Sequence, residues 1–428
     1  MDKKTALPKI KKENLLKKYK HTSRIALLIM LTVFQLVSFF QVAVDKTDKI
    51  NYEILFIMGG YILIEWLYFF VFSVFLKRKS FELETIAFLL TGIGLTIVAS
   101  VNPADLLKQF IAVVLGLFTF IAMTFYMGSI KRIEVMRMPL GFCAVGILSL
   151  NLILAKAING ARNWISLGGI SIQPSELVKI AFIFVGASTL AKLQSARSLT
   201  KFIVFFLFCV GALFLMYDFG TALIFFATFL IIAFMRSGDI RTLLIICGAA
   251  LVGAGLILMF KPYVANRFAT YRHVWELADA GGYQQTRVLI YSVSGGLFGV
   301  GIGNGKLRNI FASTTDLVFG VVCEEWGIIL GFAIIVMFAL LTVYAIRSAG
   351  ATRSTFYSIA SCAAAGMMLF QVCLNVFGIT DLLPLTGVTL PFISQGGTSM
   401  ICSWGLLAFI KSADNSTYPE IEREGKRI

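Results

Sequence analysis

The chain has 428 residues, of which 58% are hydrophobic and only 14% charged, against roughly a quarter charged in ordinary soluble domains. With a mean hydropathy of +0.85, a soluble enzyme is excluded. The formal charge of +15, from 38 Lys and Arg against 23 Asp and Glu, would suggest a nucleic-acid partner in a soluble protein, but here it lies mostly in short loops and the N-terminal tail.

Residues 1–24 form a basic tail with nine Lys and Arg before Ile25. The apolar run that follows is about 20 residues long and lacks a small-residue cleavage site, so it reads as a retained helix rather than a signal peptide. Runs long enough to span recur at about 25–44, 54–76, 83–101, 107–129, 138–156, 174–192, 202–217, 219–236, 242–260, 317–346, 355–378 and 395–411. This pattern predicts an all-α polytopic membrane protein of about 12 transmembrane helices. The two runs meeting at Asp218-Phe219-Gly220 leave a hairpin or a broken helix open, and the run at 317–346 is long enough to start above the membrane. Seven cysteines fall in or beside apolar runs with no CxxC pair, which reads as buried free thiols. Residues 412–428 form a second polar tail.

Positive residues stay cytoplasmic in short loops. With the N-terminus inside, 26 of the 38 Lys and Arg lie on the inner side, five in short outer loops and six in one long outer loop. An N-in, C-in topology follows, with residues 157–174, 261–316 and 379–394 outside. Loops of this length are usually functional or disordered. Within the long one, the apolar stretch 289–300 carries Gly295, Gly296 and Gly299 and is too short to span, so it predicts a re-entrant or interfacial segment packed on the protein.

The outer segments hold the residues that chemistry could use. Pro174-Ser175-Glu176 reads as a helix start, and Glu176 and Lys179, three apart, share a helix face as an ion pair near the membrane. Trp164 is either an interfacial anchor or a neighbour to Arg162 in holding a lipid phosphate. Asp218 suits a helix cap before Gly220. Asp316 is either a helix N-cap or a general base beside the cations Arg267, Arg272, Lys306 and Arg308. Between Leu383 and Ser399, two prolines and three glycines interrupt the backbone at membrane depth, which is tolerated only where protein or a polar cavity satisfies the freed groups.

These stretches, in this order, resemble the SEDS family: NGARNWISLGGISIQPSELVK, YDFGTA, GGYQQTRVLIYSVSGGLFGVGIGN, TTDLVFGVVCEEWG and LLPLTGVTLPFISQGGTSM. LKQFIAVVLG, from Leu107, extends the likeness, which covers roughly Leu83 to Lys411. The resemblance implies a ten-helix core over 83–411, with residues 25–82 as two additional N-terminal helices. It further implies a peptidoglycan glycosyltransferase of the bacterial cytoplasmic membrane that polymerises lipid II on the outer face during elongation, division or sporulation, together with a class B penicillin-binding transpeptidase and other divisome or elongasome proteins, and without nucleic acid. By position Asp316 matches the family's essential Asp. Arg162, Trp164, Arg267, Lys306, Gln284 and Ser394 are the expected substrate contacts, while Glu176, Lys179 and Asp218 are structural neighbours. A divalent cation, Mg or Mn, is an optional cofactor, with Asp316 as a candidate ligand. The sequence departs from the family pattern at Asn163, Tyr217, Thr314 and Gln395. A lipid flippase, for which Glu65 offers an intramembrane charge, and a non-catalytic scaffold are the alternative readings.

Overall fold

The computed structural model describes residues 24–44, 50–78, 80–158, 161–167, 170–191, 196–241, 244, 246–248, 270–352 and 354–417. The basic tail, Arg267, the end of the C-terminal tail and most of the predicted run at 242–260 lie outside the described residues.

The first eight helices are α1 (Arg24–Ala43), α2 (Tyr52–Val74), α3 (Glu82–Val101), α4 (Leu106–Tyr126), α5 (Ile130–Leu154), α6 (Pro174–Ala191), α7 (Ala196–Leu215) and α8 (Phe219–Ser237). After them come α9 (Tyr283–Ser294), α10 (Val318–Glu325), α11 (Ile328–Ala351), α12 (Thr355–Ile379) and α13 (Gly397–Ala413). Local chemistry sets several ends. Asn51 accepts the amides of Glu53 and Ile54 at the start of α2. Pro174 opens α6 where its missing N–H costs no hydrogen bond. Gly238 ends α8 at φ 64°, a left-handed turn that suits glycine. Among the described residues, nine helices are long and apolar enough to cross a membrane.

Two expectations change. The single run at 317–346 is two helices, α10 and α11, separated at Trp326-Gly327. Gly327 adopts φ +90°, and a Cβ there would lie 2.2 Å from Leu297 O. The glycine-rich turn after α9 is packed backbone to backbone against this break, with Ile328 N donating to Gly296 O at 3.0 Å. The outer segment at 157–174 also holds structure: β1 (Lys156–Ile158), β2 (Ala161–Leu167) and β3 (Ile170–Ile172) form an antiparallel sheet in that order. In it Trp164 stands opposite Lys156 and Ile165 opposite Ile172.

Helices α3, α6, α12 and α13 bury most of their residues. By contrast α1, α2, α5 and α11 leave broad apolar faces uncovered, as a hydrocarbon solvent allows. Close approach in the centre depends on small residues. A Cβ at Gly94 would meet Ile393 O at 2.6 Å, and one at Gly116 would meet Trp404 Cδ1 at 2.8 Å. Phe88, Phe120 and Phe392 surround Trp404 edge-on with centroids 5.1, 5.7 and 5.7 Å away.

Two polar knots tie the helices at opposite ends. Toward the outer end, Lys179 Nζ donates to Glu176 Oε1 at 2.6 Å and to Gln371 Oε1 at 3.1 Å. Gln371 Nε2 reaches Thr389 O at 2.8 Å, and Thr389 Oγ1 meets Ser399 Oγ at 2.8 Å. At the inner end Lys411 lies 3.0 Å from Glu84 and donates to Ser80 O at 2.7 Å, while Tyr344 donates to Asp414 at 2.7 Å. The segments that charge bias assigns to one side of the membrane therefore meet one another, as do those of the other side.

Replacing Gly94 with Val should lower the thermal unfolding temperature of detergent-purified protein by several degrees, because the Ile393 backbone cannot yield. Gly146→Val, at a position with nothing within 4 Å, should leave it unchanged. Breaking the buried pair by Lys179→Met alone should cost about 3–5 kcal/mol. Combining it with Glu176→Gln should recover most of that loss in the same melt.

Candidate active site at the outer face

Thr314, Thr315 and Asp316 end a series of tight turns before α10. Ala312, at φ +63°, accepts the amides of Thr315 and Leu317 at 3.2 and 3.1 Å. The carbonyls of all three residues are then held from the segment between α12 and α13, or from α12 itself. Gln395 N donates to Thr314 O at 2.8 Å, Ser394 Oγ to Thr315 O at 2.6 Å and Asn375 Nδ2 to Asp316 O at 2.8 Å. The Asn375 amide also reaches Val388 O at 2.7 Å. The Asp316 carboxylate, half-buried, lies against Gly387, where a Cβ would come 3.3 Å from Oδ2. The N-cap position of α10 falls on Leu317, one residue beyond Asp316.

Asp218 does cap α8, accepting Thr221 N on Oδ1 at 3.2 Å. Its other oxygen receives Asn163 Nδ2 at 3.0 Å and Gln173 Nε2 at 3.3 Å, so one buried carboxylate fastens β2 and the start of α6 to α8. Gln173 N points to Thr398 Oγ1 at 3.4 Å, which carries the tie on to α13. Asn163, a departure from the family's Arg, is an amide that donates into Asp218. Next to it on β2, Trp164 is half-buried. Arg162 is placed on the same strand by its backbone.

The remaining expected contacts divide. Lys306 is exposed; its backbone amide and that of Leu307 are both accepted by Glu324, at 2.7 and 2.9 Å. Gln284 uses its amide on Phe311 O at 3.1 Å, tying α9 to the turns before Asp316. Ser394 is only 2% exposed, and its hydroxyl is shared between Thr315 O and Leu390 N. The structure thus places Ser394 behind the site, as a staple for the carboxylate-bearing segment. Asn375, Gln371, Asp105 and Gln109 take part in the same framework without having been singled out. Of these, only Gln109 lies in a quoted motif, the stretch from Leu107. Among the described residues no group of three or more His, Cys, Asp or Glu stands together as a metal cage.

Glu325 closes α10, a helix too short to span, and is 1% exposed. Burial pushes its carboxyl up to about 7, with Glu324 adding to the shift. Neither oxygen has a full hydrogen-bond partner, and the amides of Gly303 and Gly305 and the charge of Arg308 only oppose the rise. Between pH 4.5 and about 7 the folded protein holds a proton that the unfolded chain has released, so stability falls as pH rises through that window. The loss should total no more than about 3 kcal/mol. Melting curves between pH 5 and 8 should show it, and Glu325→Gln should remove that part of the slope.

Residues 100–418 match the family model described as "Cell cycle protein", that of FtsW, RodA and SpoVE. The peptidoglycan glycosyltransferase RodA of Mycobacterium leprae is 30% identical over 276 residues, which are 60% of this chain and 59% of that protein. Stage V sporulation protein E of Bacillus subtilis is 32% identical over 251 residues, 56% of this chain and 68% of that protein. The chain thus spans 59% of the length of the mycobacterial relative. Among solved structures, RodA of Thermus thermophilus superposes with a TM-score of 0.58 at 27% identity, covering 77% of this chain and 95% of that one. A chain from a peptidoglycan synthase complex, in a structure concerned with the coordination of polymerization and crosslinking, superposes with a TM-score of 0.66 at 26% identity, covering 80% and 98%. With its apolar helices, this likeness makes the protein a multi-pass protein of the bacterial cytoplasmic membrane. As the matched residues 100–418 take in well over half of its length, the chain belongs to the FtsW, RodA and SpoVE family of cell cycle proteins, the SEDS family that its motifs resemble.

Proposed function

We propose that the protein is a peptidoglycan glycosyltransferase that polymerises lipid II into glycan strands at the outer face of the membrane, with Asp316 as the general base. The observation that carries this reading is the fastening of three consecutive carbonyls, Thr314 to Asp316, by Gln395, Ser394 and Asn375. A base must be held still to be useful, and this one is held by its own backbone while its carboxylate stays half-buried beside Gly387.

In the proposed reaction the 4-hydroxyl of the acceptor sugar gives its proton to Asp316 as its oxygen attacks the donor's anomeric carbon. The bond from that carbon to the diphosphate oxygen breaks, the configuration inverts, and the polyprenyl diphosphate leaves with the electron pair. Cations must stabilise the departing charge. We assign this to Lys306, which is exposed, and to Arg162 of β2, with Trp164 two residues further along the same strand. The curated relatives' activity supports the assignment. The neighbour from a synthase complex supports a crosslinking partner, which we assign to a class B penicillin-binding transpeptidase. That neighbour is covered almost whole by 80% of this chain, which supports reading α1 and α2 as additions to the family core. Glu65, the residue that most favours transport, is fully buried and accepts Gln35 Nε2 at 2.8 Å, an arrangement suited to joining α1 and α2.

Purified protein with its transpeptidase partner should convert lipid II into polymer resolved on gels. Asp316→Asn should lower the rate by a factor of about 100 or more while leaving the melting temperature unchanged. Polymer formed equally by Asp316→Asn would remove the proposed base.

A further inference from the structure

One cation of the outer rim has no part in the reaction as described. Lys108 lies in the first turn of α4, with its side chain 69% exposed and its Nζ 2.9 Å from Asp105 Oδ1. A surface pair at this spacing ordinarily contributes little. Asp105, however, is more than a counter-ion. Its Oδ2 accepts Asn102 Nδ2 at 2.6 Å and, from 290 residues further along the chain, Gln395 Nε2 at 3.0 Å.

Gln395 is also the residue whose backbone amide holds Thr314 O at 2.8 Å, two positions before Asp316. The next residue of α4, Gln109, accepts Gly396 N at 3.1 Å and donates to Ser394 O at 3.4 Å. The start of α4 is therefore fastened to residues 394–396 by three hydrogen bonds, and those residues in turn hold the backbone of the base. Lys108 is thereby linked, through Asp105 and its neighbour Gln109, to the segment that holds Asp316. Its ammonium has three donors; Asp105 takes one, and with the side chain 69% exposed the others are open to a ligand.

We propose that Lys108, positioned by Asp105 and Gln395, binds the diphosphate of a lipid-linked sugar at the rim of the site. The inference rests on the polymerase reading and adds a residue to it. Polymerisation brings two polyprenyl-diphosphate sugars to one base, so two anions must be held at once. The segment 384–396 meets the base through Gly387 and Gln395 alike, and Lys108 reaches it through Asp105 and Gln395. The apolar stem of Lys108 can lie along the helix with its charge at the interface, where a diphosphate necessarily sits once its tail is in the bilayer. Gln395 departs from the family's usual residue at its position, and its bond to Asp105 gives that departure a use.

The test uses the full chain in lipid nanodiscs. Binding of undecaprenyl diphosphate is compared with that of undecaprenol, and lipid II polymerisation is followed with the transpeptidase partner present. Lys108→Gln should weaken binding of the diphosphate lipid by about tenfold, the size expected for losing a charge-assisted hydrogen bond, and leave undecaprenol binding and the melting temperature unchanged. It should raise KM for lipid II more than it lowers kcat, and Lys108→Arg should restore most of the affinity. Gln395→Leu, acting through Asp105, should give a smaller loss. Equal affinity of wild type and Lys108→Gln for the diphosphate lipid, including no binding by either, overturns the inference. Failure of the wild type to form polymer overturns the polymerase reading instead, and the two results are read from separate assays.

Discussion

Irregular backbone cannot be left unsatisfied at membrane depth, because hydrocarbon offers no hydrogen bonds in place of water. The segment between α12 and α13, broken by Pro384 and Pro391, meets that constraint with protein groups. Asn375 takes Val388 O, Gln371 takes Thr389 O, Ser394 takes Leu390 N, and Gln109 takes Gly396 N. Two of these groups, Ser394 and Asn375, also grip Thr315 and Asp316. The candidate base is thus held by the apparatus that makes a non-helical segment tolerable inside the bundle, and the two requirements have one structural answer.

Packing makes that answer possible. Gly94 lets α3 approach the Ile393 backbone, and Gly220 brings the start of α8 onto Val388. The buried pair of Glu176 and Lys179 adds a connection from α6 through Gln371 to the same segment. Such a pair pays a large desolvation cost, which its short contact and the Gln371 oxygen offset. Asp218 does comparable work at the start of α8, where one buried carboxylate joins α8, β2 and the start of α6. The outer face is therefore a set of loops tied to one another rather than separate linkers.

Several of these ties were invisible along the chain for identifiable reasons. Gly327 resembles any glycine in an apolar run until Leu297 O is seen against it, so α10 and α11 read as one span. Strands of three and seven residues in the first outer segment are too short to show an alternation. Nothing along the chain singles out Asp105 or Lys108, because Gln395, the partner of Asp105, lies 290 residues away. Ser394 and Gln284 carry polar side chains in distinctive motifs, which suggests contact with a ligand; the fold directs both onto backbone carbonyls.

By itself the sequence determined that the chain is a polytopic helical membrane protein, which side charge bias assigns to its loops and, through its motifs, the family and the candidate base. Those properties follow from apolar run length, charge bias and local residue identity, all of which are carried by neighbours in the chain. The tertiary structure alone decided which polar groups support Asp316, where the long run breaks, and that Lys108 is tied to the candidate base. These depend on hydrogen bonds and backbone contacts between residues far apart in sequence, for which a linear pattern holds no distance.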